Sequence, residues 1–224
     1  MRSSNLQREE NYNEYLRLLQ NDDYVDVTYD NQSGGMSAVH TKHKLAKQMG
    51  AYGLHQGDYE IAALHVLRKY GHRVVLEAEM NTPGIKSFDG FLDDVPMEIK
   101  AIEGRGIWAI STKLRQAEKQ NAQCVVLYFP DESLYSPNRI KEGVRLFTSV
   151  PGCDQVSTIS RLVAVVQDRV AADWHKKSHP DRGVVNLGRF EEIEWGELIH
   201  YLPFRCKDMN NKDNYKWFPV KRLT

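Results

Sequence analysis

Ser87-Phe88-Asp89-Gly90-Phe91-Leu92-Asp93-Asp94-Val95-Pro96-Met97-Glu98-Ile99-Lys100 decides how this chain is read. Met97, Ile99 and Ala101 alternate with Glu98 and Lys100, the period-2 pattern of a half-buried strand. A two-residue turn at Asp93-Asp94, flanked by Leu92 and Val95, sets Phe91 opposite Pro96 and Asp89 opposite Glu98. Directly opposed residues share a face, with Cβ atoms roughly 4.5–5.5 Å apart. Lys100, two residues beyond Glu98, points to the same face. Two carboxylates facing each other repel, so the register asks for a cation: Lys100 or a divalent metal. Asp-Asp lacks the glycine that a primed turn prefers, and a one-residue slip would part the two carboxylates.

The flanking elements follow from periodicity. Upstream, Asp58 to Tyr70 reads as the clearest helix, with Asp58 as its cap, Ile61, Ala63, Leu64 and Leu67 as its apolar face and Gly71 as its stop. Glu60 lies in its first turn; it either complements the helix dipole or reaches along the buried face to a site. Arg73 to Ala78 is a strand, and a polar loop through Thr82-Pro83-Gly84 leads to Lys86 and the hairpin. After the hairpin, Ile102 to Ile110 is a connector bearing Arg105 and Trp108. Ser111 is expected to cap a helix through Gln120, and Cys124 to Phe129 is a continuous apolar run, hence a buried central strand. Cys124 within that run is a small core residue.

Outside this centre, Ser3 to Gln20 reads as a helix with Tyr12, Tyr15, Leu16 and Leu19 on one face, and Tyr24 to Tyr29 as a short strand. Asn31 to Gly35 is a loop. A basic segment follows, with His40, Lys42, His43, Lys44 and Lys47 interleaved with Met49 and Tyr52. It reads either as a phosphate-tracking surface or as a solvated connecting loop. No ligand pair of recognisable spacing accompanies His40 and His43 as a metal site. Towards the end, Asn138 to Phe147 is a helix, Leu162 to Val166 a buried strand, His175 to Arg182 a basic loop and Phe190 to Tyr201 a helix. Residues 1–55 and 131–224 are additions to a core at 56–130.

Helix, strand, hairpin, helix, strand is the order of that core. It resembles the PD-(D/E)xK nuclease superfamily, an α/β fold whose core runs αβββαβ. An Asp at the second strand and a Glu-x-Lys on the third match Asp89 and Glu98-Ile99-Lys100. Glu60 matches a first-helix Glu, and Gln120 a Gln late in the second helix. The family's Pro before the Asp is Phe88 here. More narrowly, the core is similar to the nuclease toxin domains at the C-termini of contact-dependent growth inhibition proteins, several of which cut tRNA. The stretch from Tyr24 to His43 resembles segments beside toxin-like modules in phage head morphogenesis and mobile-element proteins.

The resemblance implies a Mg²⁺- or Mn²⁺-dependent endonuclease, acting on tRNA in preference to DNA, with an immunity protein as partner. On it, Asp89 and Glu98 hold the metal with the Ile99 carbonyl. Glu60 holds a metal-bound water or a second metal, Lys100 serves the attacking water and Gln120 orients Lys100 or the substrate. Mg²⁺ takes one or two carboxylates together with waters and substrate phosphates, so the residue types suit phosphodiester hydrolysis. Lys42, His43, Lys44 and Lys47 are the expected substrate-binding residues. The alternatives are a catalytically inactive nuclease-fold module of a phage or mobile element, and an exposed strand-face ion pair in an unrelated α/β domain.

Composition bounds the rest. Lys plus Arg equals Asp plus Glu at 30 each, so nothing in the net charge attracts nucleic acid or a membrane, and a nucleic-acid partner needs a local basic patch. Three cysteines, Cys124, Cys153 and Cys206, without a CxxC pair argue against a disulfide framework or a zinc site. The polar N-terminus and the lack of a long apolar run lead to the expectation of no signal peptide, no membrane contact and a cytoplasmic protein, bacterial or delivered into a target cell.

Overall fold

A computed structural model of the chain describes residues 2–78, 88–148, 158–178, 185–187, 204–207 and 215–218. Its centre is one mixed sheet whose strands lie side by side in chain order: β1 (Tyr24–Tyr29), β2 (Met36–His40), β3 (Arg73–Leu76), β4 (Gly90–Leu92), β5 (Val95–Ala101), β6 (Cys124–Phe129), β7 (Arg161–Val166), β8 (Arg169–Ser178) and β9 (Val185–Leu187). The pairs β2–β3, β5–β6 and β6–β7 are parallel and the others antiparallel. Parallel neighbours need a crossover. Three helices supply them: α2 (Gln56–Lys69) between β2 and β3, α3 (Ala109–Glu118) between β5 and β6, and α4 (Pro137–Thr148) between β6 and β7. The remaining helix, α1 (Arg2–Leu19), precedes β1, and β10 (Phe204–Lys207) pairs with β11 (Tyr215–Phe218) as a separate ribbon. The fold is α/β, with the sheet continuing outward on both sides of the 56–130 core.

Strand β6 shows why the sheet is central. All six of its residues are buried. Val125, Leu127 and Phe129 pack with Ile110, Leu114 and Ala117 of α3 and Ile140, Val144 and Phe147 of α4. Cys124, Val126 and Tyr128 pack on the opposite face with Tyr59, Ala63, Leu64 and Leu67 of α2. A strand covered by helices on both sides has no need of polar alternation, which is why it reads as a continuous apolar run. Burial pushes the Cys124 thiol well above its ordinary range, as befits a core residue.

The central hairpin has the expected register: Leu92 pairs with Val95, Phe91 with Pro96 and Gly90 with Met97. Asp93 and Asp94 close it with φ of 50° and 66°, the left-handed pair of a type I′ turn. Aspartate tolerates this conformation, and here side-chain bonds hold it: Asp93 accepts from the Arg73 amide and from His72 Nδ1, each at 2.9 Å. Gly90 is required by close approach, because a Cβ there would lie 2.0 Å from the Val75 carbonyl oxygen across β3.

Several local expectations are corrected. Strand β2 was not anticipated; Met36-Ser37-Ala38-Val39 is short, but all four residues are buried and join β3 to the outer strand β1. In α1, Tyr12, Leu16 and Leu19 are exposed, while Asn11 and Leu18 face inward. The inward turn satisfies backbone: the Asn11 amide donates to the Gly34 and Gly71 carbonyls, at 2.9 and 3.1 Å. His55, not Asp58, is the N-cap of α2, with Asp58 accepting from its amide at 2.9 Å. Trp108, not Ser111, is the N-cap of α3; Ser111 is buried inside the helix. Residues 175–178 belong to β8 instead of a loop. The expected loops at Thr82–Gly84 and His179–Arg182, the expected helix at Phe190–Tyr201, and Lys86, Ser87 and Cys153 lie outside the described residues.

Candidate active site

The site forms where the short strand β4 runs out. Backbone pairing between β4 and β5 ends at Gly90, the residue that follows Asp89. The next β5 amide, Ile99 N–H, would lose its partner there, and the Asp89 carboxylate accepts it at 2.7 Å. The Asp89 amide in turn donates to Glu98 Oε2 at 3.1 Å. Glu98 is fully buried, and Lys100 Nζ forms an ion pair with its Oε1. Gln120, just past the end of α3, hydrogen-bonds the Glu98 side chain. The pair is therefore no exposed strand-face decoration; Met97, Ile99 and Ala101 face the α2 core while Glu98 and Lys100 take the other face.

From the opposite layer, α2 brings Glu60. Its Oε2 lies 3.1 Å from His43 Nε2, and His43 Nδ1 donates to the Glu77 carbonyl at 2.8 Å. With its side chain 1% exposed and both ring nitrogens engaged, His43 is not a surface contact for substrate but a prop for Glu60. The hydrogen bonds to Glu60 and Glu77 outweigh its desolvation and raise its pKa. Of the other basic residues in that segment, Lys42, Lys44 and Lys47 stay exposed. His40 turns elsewhere: its ring sits against Tyr24 and its Nδ1 accepts from the Lys42 amide. The segment is tied down again further on, where Glu103 accepts from the Ala51 amide, Gln56 Nε2 and the Tyr59 hydroxyl at 2.5, 2.7 and 2.9 Å.

Crowding of acids has the expected electrostatic result. Burial, then the charges of Glu98 and Glu60, push the Asp89 carboxyl up to about 8 despite Lys100. Burial also raises Glu98, against the opposing pull of Lys100 and Gln120. A carboxyl whose folded pKa exceeds its unfolded value holds its proton more tightly when folded, so stability falls as pH rises between the two values. Without divalent metal, the protein should lose stability between about pH 4 and pH 8, by up to about 1.4 kcal/mol per pH unit for each proton involved. Asp89→Asn should make that decline shallower. Urea unfolding in EDTA across this range checks both; equal slopes would mean that Asp89 carries no such proton.

The donor set suits a hard divalent cation. The half-buried Asp89 and the fully buried Glu98 offer carboxylate oxygens, and Glu60 adds a third acid whose charge Asp89 feels. Among the described residues no group of three His, Cys, Asp or Glu side chains is arranged to enclose a metal. Mg²⁺ does not need such a cage, since it keeps several waters and takes one or two carboxylates.

Family models, curated proteins and solved structures offer no match to this chain. The site therefore rests on its own geometry. Hydrogen bonds and an ion pair join Asp89, Glu98, Lys100 and Gln120; Glu60, held by His43, acts on Asp89 through its charge, and Lys42, Lys44 and Lys47 stay exposed while His43 turns inward. One participant carried no signal in the sequence reading: His43 in its inward role, held between Glu60 and the Glu77 carbonyl. No helix among the described residues is long and apolar enough to cross a membrane.

Proposed function

We propose that the chain is a Mg²⁺- or Mn²⁺-dependent nuclease of the PD-(D/E)xK kind. The observation that carries this reading is the Asp89–Glu98–Lys100 cluster at the open end of a hairpin, with Glu98 fully buried and Asp89 and Lys100 half-buried, backed by Glu60. Buried like charges are costly unless a function needs them. In this reading Asp89 and Glu98 hold the metal, with Glu60 beside them. The bound metal would supply an activated water and neutralise charge on the leaving oxygen.

The protein's own groups do the rest. Lys100, fixed by Glu98, presents its ammonium to the attacking water and to the phosphate oxygens as negative charge develops. Gln120 holds the Glu98 carboxylate, and His43 holds that of Glu60, so each acid is oriented before substrate arrives. The exposed Lys42, Lys44 and Lys47 are proposed to grip the phosphate backbone. RNA, and tRNA in particular, is the proposed substrate, on the resemblance to growth-inhibition toxin domains, which also suggests an immunity protein as partner.

Incubation of the purified protein with total RNA and with plasmid DNA, with Mg²⁺ or with EDTA, tests the reading. Cleavage that needs Mg²⁺ and vanishes in folded Glu98→Gln is expected, with RNA the better substrate. Intact RNA and DNA in the presence of Mg²⁺ and Mn²⁺ would favour the inactive, binding-module alternative.

A further inference from the structure

Strands β2, β3, β5, β6 and β7 run the same way, so their carboxyl ends share one edge of the sheet. That is also the edge where β4 begins, beside Asp89. The segment after β2 leads from it to α2 on one face, and the loop after β5 leads to α3 on the other. Open α/β sheets bind their ligands in the crevice outside such an edge, where successive connections part to opposite faces. Glu103 ties the two connections together. It follows β5 and accepts from the Ala51 amide, Gln56 Nε2 and the Tyr59 hydroxyl. Arg139 fixes the second loop through the Gly104 carbonyl, and Arg105 Nη2 donates to the Ser133 hydroxyl at 3.0 Å.

Two kinds of side chain face water on this framework. Leu45, Met49, Tyr52 and Leu54 on the first connection, and Ile107 and Trp108 on the second, are large apolar groups left exposed, Tyr52 by 39% and Trp108 by 44%. Lys42, Lys47 and Arg105 are exposed among them. No acidic residue occurs between Thr41 and Gly57 or between Gly104 and Thr112, and Glu103 is engaged by its three donors. On the loop after β6, Asp131 accepts from the Ser133 amide at 2.8 Å and from the Tyr52 hydroxyl, a bond at the edge of that ring. Clustered exposed apolar groups mark an interaction surface. Rings interleaved with cations suit a nucleic-acid strand with unpaired bases, which stack on the rings while its phosphates meet the cations. A duplex keeps its bases paired and stacked inside and offers mainly backbone. Resting on the nuclease reading, we propose that Tyr52 and Trp108 form a stacking platform for unpaired bases of the RNA substrate, at the sheet edge that carries Asp89, with Lys47 and Arg105 taking its phosphates. The platform selects single-stranded RNA and takes part in no proton transfer.

A labelled single-stranded RNA oligonucleotide and the same sequence as a duplex provide the test, with affinity followed by fluorescence anisotropy in EDTA over a range of salt. The wild type should bind the single strand about tenfold or more tightly than the duplex. Tyr52→Leu and Trp108→Leu should each weaken single-strand binding by about 5- to 100-fold, the worth of one stacked base, and leave the slope of log K against log salt unchanged. Arg105→Gln should instead lower that slope by about 0.7, the value for one phosphate on a single strand. Both rings are exposed, and the Trp108 side chain makes no cap bond to α3, so the Leu variants should fold. Tyr52→Phe and Trp108→Phe should keep most of the affinity, and RNA should quench tryptophan fluorescence in the wild type more than in Trp108→Phe. Wild-type affinity in both Leu variants, or a duplex bound as tightly as the single strand, overturns the platform and leaves the apolar surface to a protein partner. If the wild type cleaves RNA while the Leu variants bind normally, the platform fails and the nuclease reading stands. If the single strand binds through the two rings and is never cleaved with Mg²⁺ or Mn²⁺ present, the platform stands and the nuclease reading fails. No binding of single-stranded RNA overturns the platform whatever cleavage shows.

Discussion

Replacing Arg161 by Leu should destabilise the protein by about 3–5 kcal/mol, the usual loss when one partner of a buried ion pair is removed. Arg161 is 5% exposed and stands at the far end of the hairpin from the candidate site. Its guanidinium binds Asp173 through Nε and Nη2 at 3.0 and 2.7 Å, and Asp93 through Nη1 at 2.9 Å. It thus fastens the hairpin turn to β7 and β8. Leu would leave two carboxylates without their cation and with no route to full solvation. Urea unfolding should show a lower midpoint with an unchanged m-value. A loss under about 1 kcal/mol would mean that His72 and the Arg73 amide suffice for Asp93. Burial opposes ionisation of Asp93, yet its bonds to His72, the Arg73 amide and Arg161 bring it down to about 2. That contribution is present above its unfolded pKa, about 3.9, and is lost as pH falls through about 2.

Lys100→Met should reduce cleavage by about 10²- to 10⁴-fold, the range for losing a positioned acid–base group or a charge stabiliser in a transition state. The apolar part of the side chain is retained, so packing against the strand survives. Asp89 and Glu98 are untouched, so Mg²⁺ should still bind. Single-turnover cleavage at saturating Mg²⁺ separates chemistry from metal binding. A rate within about threefold of wild type would make Lys100 only the counter-ion of Glu98, and the water would need another partner.

The central elements could be read from sequence because each obeyed one local rule. Met97, Ile99 and Ala101 alternate with Glu98 and Lys100, and Leu92 and Val95 bracket a two-residue turn, so period and turn length fixed one register. Helix α2 declared itself by its apolar face and by Gly71, whose φ of +90° ends it. Strand β6 was visible as an unbroken apolar run. What escaped depended on distant partners. Strand β2 is covered on both sides and too short for any periodicity to show. The face of α1 was misjudged because its inward residue is Asn11, buried to satisfy the carbonyls of Gly34 and Gly71.

The candidate site divides along the same line. Asp89, Glu98 and Lys100 share a hairpin, so local spacing brought them together. Glu60 comes from α2, where position alone left it between a dipole partner and a site residue, and Gln120 lies just past α3; the family resemblance singled them out. His43 sits among lysines in sequence, and nothing local distinguishes an inward histidine from its outward neighbours. Its role is set by the Glu77 carbonyl and Glu60, residues 34 and 17 positions away.

The most direct test of the central claim, that Asp89 belongs to a metal-holding acid cluster, needs no substrate. Thermal melts at neutral pH compare wild type with Asp89→Asn, each in EDTA and in Mg²⁺. Asn mimics the neutral acid and keeps an oxygen for the Ile99 amide, so the two proteins should be about equally stable in EDTA, or the variant slightly more so. Mg²⁺ should stabilise wild type by RT ln(1 + [L]/Kd), about 1.4 kcal/mol at ten times Kd, and the variant by much less. Equal Mg²⁺ shifts in the two proteins, or a variant markedly unstable in EDTA, would contradict the account and make Asp89 a structural residue.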